Sequence, residues 1–441
     1  FSNGTNSSTT VSGTSTAASV GISLNTSGNE QVSVGIYSSC ALKFDGTVYC
    51  WGDNADGQIG DNTTTTRRTP VQVLGVGASG YLTGVSQVSV GYKTACALKP
   101  DGTVYCWGRN TVGQVGDNTT VQKNTPVQVL GVGASGYLTG VSKISAGYAS
   151  TCALKTDGTV YCWGWNTSGK LGDNTSTNRL TPVQVLGVGG SGYLTGVSWV
   201  GGKGYSNTCA LKPDGTVYCW GGNTYGQIGD NTTTTRLTPV QVLGVGASGY
   251  LTGVSQFGAN DGAAFCALKT DGTVYCWGEN TKGSLGDNTT TTRYTPVQVL
   301  GVGASGYLTG VSQVSGGNDN TCALKTDGTV YCWGWNASGN IGDNTTATRY
   351  TPVQVLGVGA SGYLTGVSQV SGGYVVNCAF KTDGTVYCWG WNASGNIGDN
   401  TTTVRYTPVQ VLGVGASGYL DLIPYYSSGN FESAIIDLGG V

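Results

Sequence analysis

A module of two cysteines separated by nine residues, CALKTDGTVYCWG at Cys322–Gly334, recurs seven times in this 441-residue chain. The first cysteine falls at 40, 96, 152, 209, 266, 322 and 378, so the period is 56 or 57 residues throughout. One period across most of a chain means one array of like units, which overrides the two or three domains that length alone would suggest. Around each module the sequence reads as four short strands. In the unit at 311–356, VSQVSGG alternates, TCALK and TVYCWG flank an Asp-Gly turn, and TPVQVL is a fourth strand opened by proline. Such units cannot bury their faces alone and must stack on one another. The expected fold is therefore all-β, a seven-bladed β-propeller of four-stranded blades. It occupies residues 31–420 and closes by blade-to-blade packing or by a strand exchanged from a terminus. Residues 1–30, rich in Ser, Thr and Gly, read as an N-terminal segment or exchanged strand, and 421–441 as a strand-like extension leading to another domain. The chain starts at Phe1 with no methionine anywhere, and it reads as a processed protein or a fragment.

The cysteines pair within each unit. A three-residue turn at Phe44-Asp45-Gly46 sets Lys43 against Thr47, and counting outward places Cys40 opposite Cys50 in a non-hydrogen-bonded pair, where a disulfide can form. The same count pairs Cys96 with Cys106, Cys152 with Cys162, Cys209 with Cys219, Cys266 with Cys276, Cys322 with Cys332 and Cys378 with Cys388. One hairpin disulfide per blade implies an oxidising compartment, hence an extracellular or cell-surface protein. Zinc is not expected, because there is no C-x-x-C pair and no histidine.

The string CALKTDGTVYCWGWNASGNIGDNTT, followed by TRYTPVQVLGVGASGYLTGVSQVSGG, closely resembles the regulator-of-chromosome-condensation repeat, in the two-cysteine form found in secreted or surface-attached microbial proteins. The resemblance implies a seven-bladed propeller over 31–420. It implies divergent functions: nucleotide exchange on a small GTPase and chromatin contact in the eukaryotic founder, β-lactamase inhibition by one propeller face in a bacterial relative. This chain lacks the founder's histidine between the first two strands, its basic tail and its wedge-like insertion.

Chemistry is sparse. Without histidine no Ser-His-Asp or Cys-His arrangement exists, and seven near-identical units provide no asymmetric active site, so no catalytic residue is expected. Asp45, Asp101, Asp157, Asp214, Asp271, Asp327 and Asp383 read as turn formers. Asp61, Asp117, Asp173, Asp230, Asp287, Asp343 and Asp399 lie in Gly-Asp-Asn loops, most with an arginine a few residues on. Calcium suits oxygen-rich loops, but one carboxylate per loop favours bracing over ion binding, so no cofactor is assigned. The Trp-Gly tryptophans, Trp51 to Trp389, recur in every unit and read as inter-blade packing. A net charge of −2 with 10% charged residues does not suit nucleic acid, and no apolar run is long enough to span a membrane.

Two features point outward. The first and third connections vary between units while the Asp-Gly hairpin and the GVGASGYLTG crossover hardly change, so one propeller face is diversified and the other constant. On the diversified face Trp165, Trp335, Trp391, Arg109 and Glu279 are candidate contacts for a protein or glycan partner. Candidate N-glycosylation sites are Asn62, Asn118, Asn174, Asn231, Asn288, Asn344 and Asn400, with Asn166, Asn336 and Asn392 adding three more, and Asn3, Asn6 and Asn25 lying in the N-terminal segment. The expected function is a non-enzymatic structural or adhesive module, including a subunit of an extracellular filament built from copies of itself. The rival is a soluble protein-binding module, an enzyme inhibitor or GTPase regulator, that uses the variable face.

Overall fold

The Asp-Gly turn sets the geometry of every blade. The Lys43 N–H donates to the Thr47 carbonyl at 2.9 Å and the Gly46 N–H to the Lys43 carbonyl at 3.0 Å. Gly46 has φ of 77°, a left-handed conformation that glycine adopts without a Cβ clash. The Asp45 carboxylate caps the turn by accepting the Thr47 N–H at 2.9 Å. Counting outward, Cys40 and Cys50 stand opposite each other with Cα atoms 4.1 Å apart and are joined by a disulfide. All seven expected pairs are formed, and no cysteine is free.

This computed structural model describes residues 31–201, 204–259, 263–317 and 319–423. Blade 1 comprises β1 (Val32–Val34), β2 (Ser38–Leu42), β3 (Val48–Gly52) and β4 (Arg67–Gln72), antiparallel and adjacent in sequence order. Six further four-stranded sheets repeat it, giving a seven-bladed propeller. The fourth strand differs from the sequence expectation. In blade 6 it begins at Arg349 rather than at the Thr-Pro step, so Pro352 lies inside it. The register explains the tolerance: Cys332 faces Val353 and Gly334 faces Arg349, so Pro352 sits in a bulge on an outer edge strand, where no ladder donor is required.

Blades hold together through the Trp-Gly tryptophans, all fully buried. The Trp107 indole N–H donates to the Gln58 carbonyl of blade 1 at 2.9 Å, and Trp163 likewise to Gln114 at 3.0 Å. Burying an indole removes on the order of 200 Å² from water, and this hydrogen bond satisfies its one polar atom. The inner strands meet a second demand, because each turns a row of N–H groups away from its own blade. The preceding blade caps them with side chains. Ser89 Oγ accepts the Ala146 N–H at 2.9 Å, and the Gln87 amide accepts the Ile144 N–H at 2.9 Å while donating to its carbonyl at 3.0 Å.

Closure uses the same contacts, and among the described residues each blade is built from four strands consecutive in sequence. Trp51 donates to the Asn396 carbonyl at 2.8 Å, and Gln369 brackets Val32 by accepting its N–H at 3.2 Å and donating to its carbonyl at 2.9 Å. Beyond blade 7, the Leu422 N–H donates to the Gly384 carbonyl and the Leu422 carbonyl accepts the Phe44 N–H, both at 3.1 Å. The described chain therefore enters β1 and leaves at Ile423 on the face carrying the Asp-Gly hairpins. The expectations for 1–30 and for the rest of the C-terminal extension, 424–441, lie outside the described residues.

Candidate binding face

The first connection of a blade is the turn from the inner strand to the hairpin, and it emerges beside the central axis. In five blades it carries a tyrosine: Tyr37, Tyr92, Tyr148, Tyr205 and Tyr374. Because adjacent blades present these turns side by side, the rings meet. Tyr37 and Tyr92 lie 5.7 Å apart between centroids, Tyr92 and Tyr148 stack at 4.6 Å, and Tyr148 and Tyr205 lie at 4.3 Å. The third connections complete the arc. Trp391 packs on Tyr37 at 6.0 Å, and Trp165 meets Tyr148 edge-on at 6.2 Å and Tyr205 at 5.7 Å. Trp335 packs with Tyr374 and Trp391 on the core between blades 7 and 1. The result is a half-ring of six aromatic side chains from Trp391 to Tyr205, with Tyr205 49% exposed.

Three cations fix this arc. The Lys93 ammonium donates to Asp56 at 2.6 Å and lies 5.7 Å from the Tyr92 centroid; Arg109 lies over the same ring at 5.9 Å. Lys170, buried where other blades carry Gln, Asn or Ser, donates to the carbonyls of Tyr148, Gly204 and Tyr205 at 3.1, 2.9 and 3.2 Å. It thereby rivets the turns that carry Tyr148 and Tyr205. Burial raises the Tyr148 hydroxyl above its ordinary range, with Tyr205 adding to the effect. Burial likewise tends to lower Lys93, but its bond to Asp56 outweighs this and raises the ammonium.

The other side of the same face is acidic. Asp319 is pushed up to about 6, first by burial and then by the neighbouring Glu279 carboxylate. Glu279 accepts the Thr281 hydroxyl at 3.0 Å. The five candidate contacts thus share one face but not one cluster: Trp165, Trp391 and Arg109 join the arc, Trp335 flanks it, and Glu279 stands with Asp319. Sequence reasoning missed the tyrosines, Lys93, Lys170 and Asp319. The tyrosines had a signal, since Tyr follows Gly or Ile at the same turn in five units.

The Gly-Asp-Asn loops are braced. Asp61 accepts Asn54 Nδ2 at 3.0 Å, the Thr63 N–H at 3.1 Å and hydroxyl at 2.7 Å, and Arg67 Nε at 2.6 Å. Burial opposes ionisation of Asp61, yet Thr63 and Arg67 outweigh it and hold the carboxyl below its ordinary range. Lys123 takes the arginine's place in blade 2, bonding Asp117 at 2.8 Å. The Asp61 oxygens are thus occupied by donors of the loop itself.

Three candidate glycosylation sites are corrected by these loops. Asn166, Asn336 and Asn392 are buried, and their amides are consumed. Asn166 Nδ2 donates to Asp173 at 2.9 Å while its Oδ1 accepts the Leu171 N–H at 2.9 Å; Asn336 and Asn392 repeat this with Asp343 and Asp399. An enzyme cannot reach such a nitrogen in the folded chain. By contrast Asn62, Asn118, Asn174, Asn231, Asn288, Asn344 and Asn400 are exposed at positive φ, 58–60°.

The chain's sequence and fold both have relatives. The regulator of chromosome condensation (RCC1) repeat matches at 45–98, 101–154, 157–207, 271–324, 327–380 and 383–418, and a second model of that repeat also covers 204–227. The chain belongs to the RCC1 repeat family. It is 28% identical to the ultraviolet-B receptor UVR8 of Arabidopsis thaliana over 398 residues, covering 88% of this chain and 83% of that one. It is 27% identical to the human E3 ubiquitin-protein ligase HERC2 over 366 residues, 82% of this chain but only 7% of the ligase. Among solved structures, Prp20p of Saccharomyces cerevisiae superposes with a TM-score of 0.67 at 19% identity, over 86% of this chain and 88% of that one. Human WBSCR16 gives 0.67 at 20% identity, over 83% and 94%. No helix among the described residues is long and apolar enough to cross a membrane.

Proposed function

We propose that this RCC1-repeat propeller is a non-catalytic, extracellular adhesive module that grips a protein partner with its aromatic face. The observation that carries the reading is the arc from Trp391 to Tyr205, six rings held together across five blades in an otherwise repetitive molecule. Tyr, Trp and Arg dominate the energetics of protein interfaces, and an arc fixed by Lys170 loses little entropy on binding. Seven disulfides suit an oxidising exterior. Because the chain enters and leaves on the opposite face, a tether at either end leaves the aromatic face outward. Prp20p, whose structure was described together with its binding to Gsp1p and histones, is a precedent for protein binding on this fold.

The test immobilises wild-type protein and the Tyr92→Ala/Tyr148→Ala variant and exposes both to surface-protein extract and to a glycan array. A protein retained by wild type and weakened at least about 30-fold in the variant, at unchanged melting temperature, is expected. Equal retention by both, or binding to glycans alone, overturns the reading. A second reading, self-assembly into a filament, draws support from the rim, where Val76 and Tyr81 are 51% and 57% exposed and recur in every blade. Negative-stain images of native material separate the two, since only the filament reading yields long polymers.

A further inference from the structure

The central channel is lined by the inner strands, and its Gln and Ser caps are broken on one side. At the position of Gln87 blade 3 carries Lys143 and blade 4 carries Trp199, while Gly201 and Gly258 replace the serine. Two consequences follow from register. Val200 pairs with Ala210 and Phe257 with Ala267, as Ile144 pairs with Ala153, so both turn their N–H toward the preceding blade. There the Ile144 N–H finds Gln87, whereas Val200 meets a lysine and Phe257 an indole, neither of which accepts a hydrogen bond. Among the described residues no other acceptor takes the glutamine's place.

Lys143 reaches the same gap. It has no hydrogen-bond or ion-pair partner among the described residues, and burial lowers its ammonium below the ordinary lysine range. The Trp199 indole folds over Gly201, where a Cβ would collide with it, and lies 5.5 Å from the Phe257 ring. Together these groups line about 80 Å³ of the channel, which Gln87, Ser89, Ser145, Gln256, Gln313 and Ser315 also border. It is a small cavity with one cation, two backbone donors, a flat apolar wall and no carboxylate.

We infer that this part of the channel is a binding site for a small aliphatic carboxylate, its oxygens directed at Lys143 and the Val200 and Phe257 N–H groups and its carbon end against Trp199. A half-buried cation without a counter-ion and unpaired donors are costly, and an anion answers all of them at once. The space admits a small carboxylate, since roughly 10–15 Å³ measured in this way already holds a water molecule. The indole favours an organic anion over a halide, because its face offers dispersion contact and no donor.

The probe is acetate, with sodium chloride at matched ionic strength as reference. Wild-type melting temperature rises with acetate as expected for a ligand of the folded state, and ¹³C-acetate resonances broaden on adding protein. Lys143→Gln restores the residue of most other blades, so it folds, and it weakens acetate binding at least tenfold. Equal responses of wild type and Lys143→Gln, no broadening, or a chloride effect as large as that of acetate each overturn the site.

Discussion

Trp163 and Trp165 stand two residues apart and belong to different regions of the molecule. Trp163 is fully buried between blades, with its N–H on the Gln114 carbonyl; Trp165 is only partly buried, on the loop face, edge-on to Tyr148. The first has a counterpart in all seven blades, whereas the second occurs in three. What repeats is what every interface between blades demands, and what varies is free of that demand. The molecule thus separates stability, distributed over seven equivalent interfaces, from recognition, concentrated where the copies diverge. The separation is sharpest at Lys170, whose carbonyl serves the scaffold by accepting the Trp220 indole while its ammonium serves the face.

The largest expected effect tests that separation directly. Trp163→Ala leaves a cavity and removes one of the two donors on the Gln114 carbonyl, the Thr151 hydroxyl being the other, and is expected to cost about 3–5 kcal/mol in urea unfolding. Trp165→Ala is expected to cost less than about 1 kcal/mol, because its ring stays partly solvated, while weakening partner capture. Similar losses of stability in both variants would mean that the loop face is part of the scaffold and not an independent surface.

The next effect contrasts carboxylates of the two regions. Asp319 on the loop face has its pKa raised to about 6, so the folded state binds its proton more tightly than the unfolded chain. Its contribution to stability is complete below about pH 4 and is lost as pH rises through about 6, a difference of roughly 3 kcal/mol. Asp61, Asp117, Asp173, Asp287, Asp343 and Asp399 in the braces are shifted the other way; burial opposes this, but hydrogen bonds and ion pairs prevail. Their stabilisation is present above about pH 4 and is lost as pH falls further. Urea midpoints are therefore expected to peak between about pH 4 and 6, and Asp319→Asn to flatten the decline toward pH 7. A decline that persists in the variant would assign it to another group.

How much of this could be read from sequence depended on whether the governing contacts lay within one unit. The Cys40–Cys50 pairing followed from counting across three turn residues, and the blade from alternation and the Asp-Gly signal. The aromatic arc could not be counted out, because Tyr92 and Tyr148 are 56 positions apart and meet only when blades close into a ring. The Gln87 and Ser89 caps were hidden for the same reason, each acting on the next blade. Asn166 shows a different failure. The sequon pattern is blind to burial, yet the equivalent Asn54, Asn110, Asn223 and Asn280 recur without a Ser or Thr two positions on, which marks the residue as structural. The Pro352 strand was misplaced because a bulge shifts register without any local signature.

The smallest effect concerns the constant region, where sequence and backbone conflict in most copies. Ala78 sits at φ of 63°, and so do, within a degree, Ala134, Ala247, Ala304, Ala360 and Ala416. A left-handed alanine costs roughly 1 kcal/mol more than glycine in the same conformation, although glycine gives back part of that through its freer unfolded chain. Blade 3 carries Gly190 there, at φ of 81°. Ala78→Gly is therefore expected to stabilise blade 1 by a few tenths of a kcal/mol to about 1, and Gly190→Ala to destabilise blade 3 by a similar amount. Matched urea titrations of the two variants read the difference. If Ala78→Gly instead weakens self-association while stability is unchanged, the alanine methyl belongs to a contact on the rim, and the constant region is a second interface as well as a scaffold.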